Sequence, residues 1–159
     1  MLALLGALKE EISDLRREMV IGEVINQSGC KLYRGKYENR DILLVQTGLG
    51  KERAESATKH VLEYYPITTL ISLGFAGALA DDLNIGDVII CCTLHRANGW
   101  MQQDLNSEPL CSDARLVTLI TEALGDAVVR FRCGSIVTVP LPVSSPEAKR
   151  DLGKSCRVQ

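Results

Sequence analysis

Three short segments hold residues whose types and spacing could do chemistry. Gly6-Ala7-Leu8-Lys9-Glu10-Glu11 closes an apolar run and supplies two adjacent carboxylates at a helix start. Acidic residues suit a helix's first turn for dipole reasons alone. Neighbouring side chains point about 100° apart on a helix, so only one of the two can face a cleft. A carboxylate facing a cleft there could orient or deprotonate a water molecule. Gly48-Leu49-Gly50-Lys51 places glycines before a helix N-terminus, an arrangement that can cradle phosphate. It lacks the GxxxxGK spacing of a P-loop, and Arg53 occupies the last glycine position of a GxGxxG fingerprint. Taken alone, it reads as a plain strand-to-helix turn. In Gly74-Phe75-Ala76-Gly77-Ala78, two positions without side chains would let backbone approach a ligand closely.

The elements that must position these segments follow from the apolar pattern. Leu2–Gly6 is a short continuous apolar run, a buried strand. Glu10–Met19 carries Ile12, Leu15 and Met19 at helical spacing. Val20–Gln27, Lys31–Tyr37 and Asp41–Gln46 read as strands joined by tight turns, which implies antiparallel neighbours. A helix over Lys51–Tyr65 is expected to turn Ala54, Ala57, Val61 and Leu62 inward, with His60 on its surface, until Pro66 stops it. Thr68–Leu73 and Asp87–Leu94 are further strands, the second holding Cys91 and Cys92 as buried thiols. Arg96–Cys111 is the least patterned stretch and is expected to be a long loop. Ser112 is the expected N-cap of a helix to Leu124, with Leu116, Leu119, Ile120 and Ala123 inward. Val128–Val139 is an expected strand with a bulge or close approach at Gly134. Ser145-Pro146 opens a last helix, and Arg157-Val158-Gln159 looks like the start of a strand. The order implies an α/β class, a three-layer αβα domain with a mixed central sheet and helices on both faces. Residues 1–159 are expected to form a single domain. In open sheets of this class, sites form beyond the carboxyl ends of the strands, where all three segments lie.

Composition narrows the functional classes. Hydrophobic residues make up 46% and charged residues 24% of the chain, which excludes a disordered, collagen-like or pure coiled-coil protein. Eighteen Lys and Arg against 20 Asp and Glu give a net charge of −2, so no positive field argues for nucleic acid or an anionic membrane as partner. The six cysteines, Cys30, Cys91, Cys92, Cys111, Cys133 and Cys156, form no CxxC pair and share no histidine pair at zinc spacing. They read as reduced thiols of a cytoplasmic protein, with neither metal nor cofactor expected. His95 follows a strand and could face the cleft. Met1–Leu8 is apolar, but it lacks a basic flank and runs at once into Lys9-Glu10-Glu11, so it is not read as a signal peptide. No apolar run approaches the ~18 residues of a membrane span.

Read in order, the three segments resemble one family. Leu4-Leu5-Gly6-Ala7-Leu8-Lys9-Glu10-Glu11 is similar to its opening strand and acidic turn, and Thr47-Gly48-Leu49-Gly50-Lys51 to its second glycine turn. Leu73-Gly74-Phe75-Ala76-Gly77-Ala78-Leu79, followed by Ile85-Gly86-Asp87-Val88-Ile89, is similar to its most diagnostic segment. The family is the nucleoside phosphorylases, and the branch it most resembles is the methylthioadenosine/S-adenosylhomocysteine nucleosidases. The likeness runs from Met1 to about Val143. It implies cleavage of a purine N-ribosidic bond, within purine nucleoside metabolism and methionine salvage, by a homodimer. Glu11 matches the glutamate that positions and deprotonates the attacking water. Leu8 and Leu49 match apolar residues near the sugar and its 5′ substituent. Phe75, Ala76 and Gly77 fall beside the purine, and Val143 matches a residue of the loop over the base.

Three departures from that pattern bear on function. Phe75 stands where the nucleosidases carry a small hydroxyl residue. Pro140-Leu141-Pro142 replaces the loop with its aromatic stacker. The family's Met-Glu pair for the ribose hydroxyls and its aspartate general acid have no counterpart before Gln159, so the chain is expected to be C-terminally incomplete and inactive by itself. Many phosphorylases of the family carry an Arg before the third glycine turn and a Thr inside it, where this chain has Ser72 and Phe75. That favours water over phosphate as nucleophile. Phosphorolysis of a nucleoside with an apolar 5′ group, and a non-catalytic ligand-binding or oligomerising relative, stand as alternatives.

Overall fold

The computed structural model describes residues 1–97 and 108–156, and the chain divides into two compact units, Met1–Ala76 and Gly77–Gln159. In the first unit, β1 (Leu2–Gly6), β2 (Val20–Gln27), β3 (Cys30–Tyr37), β4 (Arg40–Gln46) and β5 (Thr69–Ser72) form one sheet in the order β2-β3-β4-β1-β5. β1 runs parallel to β4 and β5, whereas β3 is antiparallel to β2 and β4. The sheet is therefore mixed, as the two tight turns in the sequence require. Ser28 and Gly29, then Glu38 and Asn39, make those turns with positive φ.

Side chains alternate between the two faces of a strand, and here each face meets one helix. Ala3, Leu5, Leu32, Leu43 and Val45 pack against Ala57 and Val61 of α2 (Lys51–Tyr64). Leu44, Tyr33 and Ile42 pack with Ile12 of α1 (Lys9–Glu18) and with Met19. The result is three layers, αβα, with its core on both sides of β1 and β4.

Two expectations for α2 are corrected. Its buried stripe is Ala57, His60 and Val61, an i, i+3, i+4 set, so His60 is inside and Leu62 is 56% exposed. Leu62 follows Val61 by about 100° of helical rotation and so leaves the sheet face. His60 is covered by aromatic neighbours, its ring 4.7 Å from that of Tyr64 and 6.3 Å from that of Tyr65.

In the second unit, β6 (Val88–Arg96), β7 (Leu110–Cys111) and β8 (Phe131–Thr138) form a three-stranded sheet in the order β7-β6-β8. β6 and β8 are parallel, and their register shifts between Cys91 and Thr93, opposite Gly134 and Ser135. The irregularity expected at Gly134 thus lies on the facing strand, with Cys92 as the extra residue. Cys91 and Cys92 are half-buried rather than buried, because the small sheet is covered less completely than that of the first unit. Burial raises the Cys92 thiol above its usual range, and the neighbouring Cys133 adds to this.

The helix α3 (Ala114–Gly125) is capped by Asp113 instead of Ser112. The Asp113 carboxylate accepts from the backbone N–H of Arg115 at 2.9 Å and of Leu116 at 3.2 Å. Leu116, Ile120 and Leu124 are half-buried, whereas Leu119 and Ala123 are exposed, so the inward stripe is narrower than expected. Val128 and Val129 lie before β8 rather than in it, both exposed. Residues 98–107 of the expected Arg96–Cys111 loop, and Arg157-Val158-Gln159, fall outside the described residues. β6 itself reaches Arg96, and Leu110 and Cys111 pair with Leu94 and Thr93.

Candidate active site

Parallel strands bring their carboxyl ends to one edge, and in the first unit the ladders run on past the strands. Thr47 N–H donates to Gly6 O at 2.9 Å and Gly48 N–H to Ala7 O at 3.1 Å. On the other side of β1, Leu73 N–H donates to Leu5 O at 2.8 Å. The exits of β4 and β5 are thereby fixed beside that of β1, and all belong to one rigid ladder.

Glu11 is the side chain that this edge organises. It is the third residue of α1, whose N-cap is Leu8. Its Oε2 accepts from Ala7 N–H at 2.7 Å and Leu8 N–H at 2.8 Å. Its Oε1 accepts from Phe75 N–H at 3.0 Å, after the exit of β5. The first two bonds are ordinary work for an acidic residue in a helix's first turn, where backbone donors lack partners. The third is a tertiary contact. An ionised carboxylate has about four lone-pair sites. Three are taken here, and the one left is on Oε1, where a water could donate to it. Glu10 is exposed and Glu11 half-buried, so the two acids diverge as helical geometry demands.

Gly74 makes the approach possible. A Cβ at position 74 would lie 2.6 Å from Glu11 Oε1 and 3.0 Å from its Cδ. At the second glycine turn, Gly48 has φ +79° and the Arg53 side chain folds back over it. A Cβ on Gly48 would meet Arg53 Cδ at 3.0 Å and Nη1 at 3.1 Å. This places a guanidinium on the same turn as Leu49.

The other residues expected to bind ligand are found as follows. In the first unit, Leu8 is half-buried, Leu49 is 68% and Phe75 77% exposed, and Ala76 is exposed. Phe75 contributes its backbone N–H to Glu11, which its side-chain type did not foretell. In the second unit, Gly77 is exposed, and Val143 is half-buried against the buried pair Ala97 and Leu152. Lys51 is exposed, and His95 pairs with Val137 near the end of the parallel ladder. Among the described residues, no group of three or more His, Cys, Asp or Glu could hold a metal ion. No helix among them is long and apolar enough to cross a membrane.

A sequence model of the phosphorylase superfamily matches residues 1–157. The chain belongs to that superfamily. Its curated relatives include 5′-methylthioadenosine/S-adenosylhomocysteine nucleosidases. That of Staphylococcus saprophyticus is 28% identical, over 96% of this chain and 70% of the relative. That of Oceanobacillus iheyensis is 32% identical over 86% and 63%, and that of Haemophilus ducreyi 39% identical over 56% and 38%. The chain thus spans between about two fifths and seven tenths of the length of these superfamily relatives.

Solved structures agree on the fold. The Neisseria meningitidis nucleosidase in complex with methylthio-immucillin-A matches with a TM-score of 0.85 at 24% identity, over 97% of this chain and 71% of that one. The Helicobacter pylori futalosine hydrolase matches with a TM-score of 0.89 at 22% identity, over 99% and 71%. Both support the αβα architecture with a mixed sheet that the apolar pattern implies.

Proposed function

We propose that the protein cleaves the N-ribosidic bond of a purine nucleoside of the 5′-methylthioadenosine/S-adenosylhomocysteine type, with a water activated by Glu11 as the nucleophile. The observation that carries this reading is the Glu11 carboxylate, held by three backbone N–H groups with one lone pair of Oε1 left open. A carboxylate fixed in this way can take a proton from water as the oxygen closes on C1′. The C1′–N bond then breaks with its electron pair on the base. The names of the superfamily relatives support the same reaction type.

In this reading Leu8 and the exposed Leu49 face the sugar and an apolar 5′ substituent. Phe75, Ala76, Gly77 and Val143 attend the purine. The protein works in the cytoplasm as a homodimer, in methionine salvage. The free thiols among the described residues suit a reducing compartment.

Phosphorolysis is the second reading, and the Arg53 guanidinium across the Gly48 turn is the observation that favours it. The experiment is base release by the full-length protein, followed chromatographically with and without phosphate. Release without phosphate, yielding free sugar, is expected. Silence until phosphate is restored, with a sugar 1-phosphate as product, would establish phosphorolysis. No release from any purine nucleoside would leave a ligand-binding relative.

A further inference from the structure

Lys149 is on the inward face of the last helix, α4 (Pro146–Cys156), where a lysine is out of pattern. Residues three apart share a helix face, and Leu152 is buried with Ala97 beneath Leu79, Val137, Val139 and Val143. The start of the helix is fixed as well: Ser145 Oγ accepts from Ala148 N–H at 3.0 Å, and Ser145 O accepts from Lys149 N–H at 3.1 Å. From this anchored position the side chain reaches the third glycine turn. A Cβ on Gly77 would lie 3.3 Å from Lys149 Nζ and 3.5 Å from Cε. The ammonium therefore rests over a residue with no side chain. Among the described residues, Arg17, Lys59, Arg115, Arg130 and Arg132 make ion pairs, and no carboxylate is found within ion-pair distance of Lys149. Its three N–H donors and its charge are left for a ligand.

We propose that Lys149 is a base-recognition residue, donating from Nζ to a ring-nitrogen acceptor of a purine docked on the Gly77 turn. This rests on the purine nucleoside reading above. An ammonium offers donors only, so it selects a heterocycle edge that carries an acceptor.

The test uses the full-length protein and its Lys149→Met and Lys149→Arg variants. Calorimetry measures the binding of adenine, 1-deazaadenine, 3-deazaadenine and 7-deazaadenine, and base release from 5′-methylthioadenosine is followed in parallel. Wild type is expected to bind adenine at least ~10-fold more tightly than the analogue that lacks the bonded nitrogen. Lys149→Met is expected to erase that preference with the melting temperature unchanged, and Lys149→Arg to restore part of it. Equal weakening of all four bases by Lys149→Met, or no weakening, would overturn the proposal. If wild type releases no base yet Lys149→Met still erases the preference, the reaction reading fails and the Lys149 site stands. If wild type does not bind adenine, the site fails.

Discussion

Glu11 Oε1 accepts a 3.0 Å hydrogen bond from the backbone N–H of Phe75, 64 residues further along the chain. This bond makes the start of α1 and the exit of β5 one piece, and it sets which oxygen keeps an open lone pair. It also shows that glutamine is no silent replacement. A glutamine has one acceptor oxygen and one NH2 group. Whichever way the amide turns, its NH2 faces at least one of the N–H groups of Ala7, Leu8 and Phe75. Glu11→Gln is therefore expected to lower stability by about 1 kcal/mol or less, the net worth of a hydrogen bond whose donor water can still reach. Base release by the full-length protein should fall ~10²-fold or more, the usual scale for acid–base residues. Denaturant melts and a chromatographic assay check both, and unchanged turnover would remove Glu11 from the reaction.

The closeness of Gly74 to the same oxygen gives a separate test. Gly74→Ala puts a methyl 2.6 Å from Glu11 Oε1, so the carboxylate must shift. Position 74 is exposed, and no core side chain is displaced. The expected result is a ~10-fold or larger loss of kcat, since small misplacements of reacting groups are costly. The melting temperature should hardly move. Equal activity with an unmoved carboxylate in a crystal structure would show that Glu11 has slack at this site.

Most of the first unit was legible because its apolar runs are separated by glycine, proline and tight-turn residues. Leu2–Gly6, Asp41–Gln46 and the stop at Pro66 needed nothing beyond local pattern. The placement of His60 was not legible in that way. Ala57, Val61 and Leu62 admit two neighbouring stripes, and only the sheet decides that the stripe passes through His60. The caps show the same limit at shorter range. Ser112 and Asp113 are both good N-caps, and the choice between them lies in which side chain reaches the unpaired N–H groups of the first turn, here those of Arg115 and Leu116. At the site, adjacent acids on a helix start announced that one would turn inward. That the partner would be the N–H of Phe75 depends on the β1–β5 register, and no spacing in the chain encodes it. Lys149 had a signal that was there to read, a cation three residues before the apolar anchor Leu152.

Asp113 offers a pH test of the α3 cap. The N–H groups of Leu116 and then Arg115 hold its carboxyl below the usual carboxylate range in the folded protein. A depressed folded pKa contributes stability above the unfolded value of about 3.9, and that contribution is lost as pH falls through the folded pKa. Asn caps as well as Asp but does not titrate. The melting temperature of wild type should therefore exceed that of Asp113→Asn at pH 6, and the gap should close below about pH 4. Asp113→Ala should be lower than both at pH 6, by about 2–4 °C. A gap that is constant from pH 3 to pH 6 would mean the charge of Asp113 is idle.

The burial pattern around α2 makes the last test quantitative. Leu43 is fully buried on the sheet face that α2 covers, while Leu62 on α2 itself points to solvent. Truncating a buried leucine removes its transfer free energy and leaves a cavity, so Leu43→Ala should cost about 2–5 kcal/mol. Leu62→Ala removes the same atoms from an exposed position, where changes stay within about 0.5 kcal/mol. Alanine also has the better helix propensity, which offsets part of any lost contact. Urea titrations with equal m-values would give both numbers directly. If Leu62→Ala proved as costly as Leu43→Ala, that face of α2 would have to be covered in solution. A second copy of the chain would then be the first partner to look for, by light scattering of wild type and Leu62→Ala at matched concentrations.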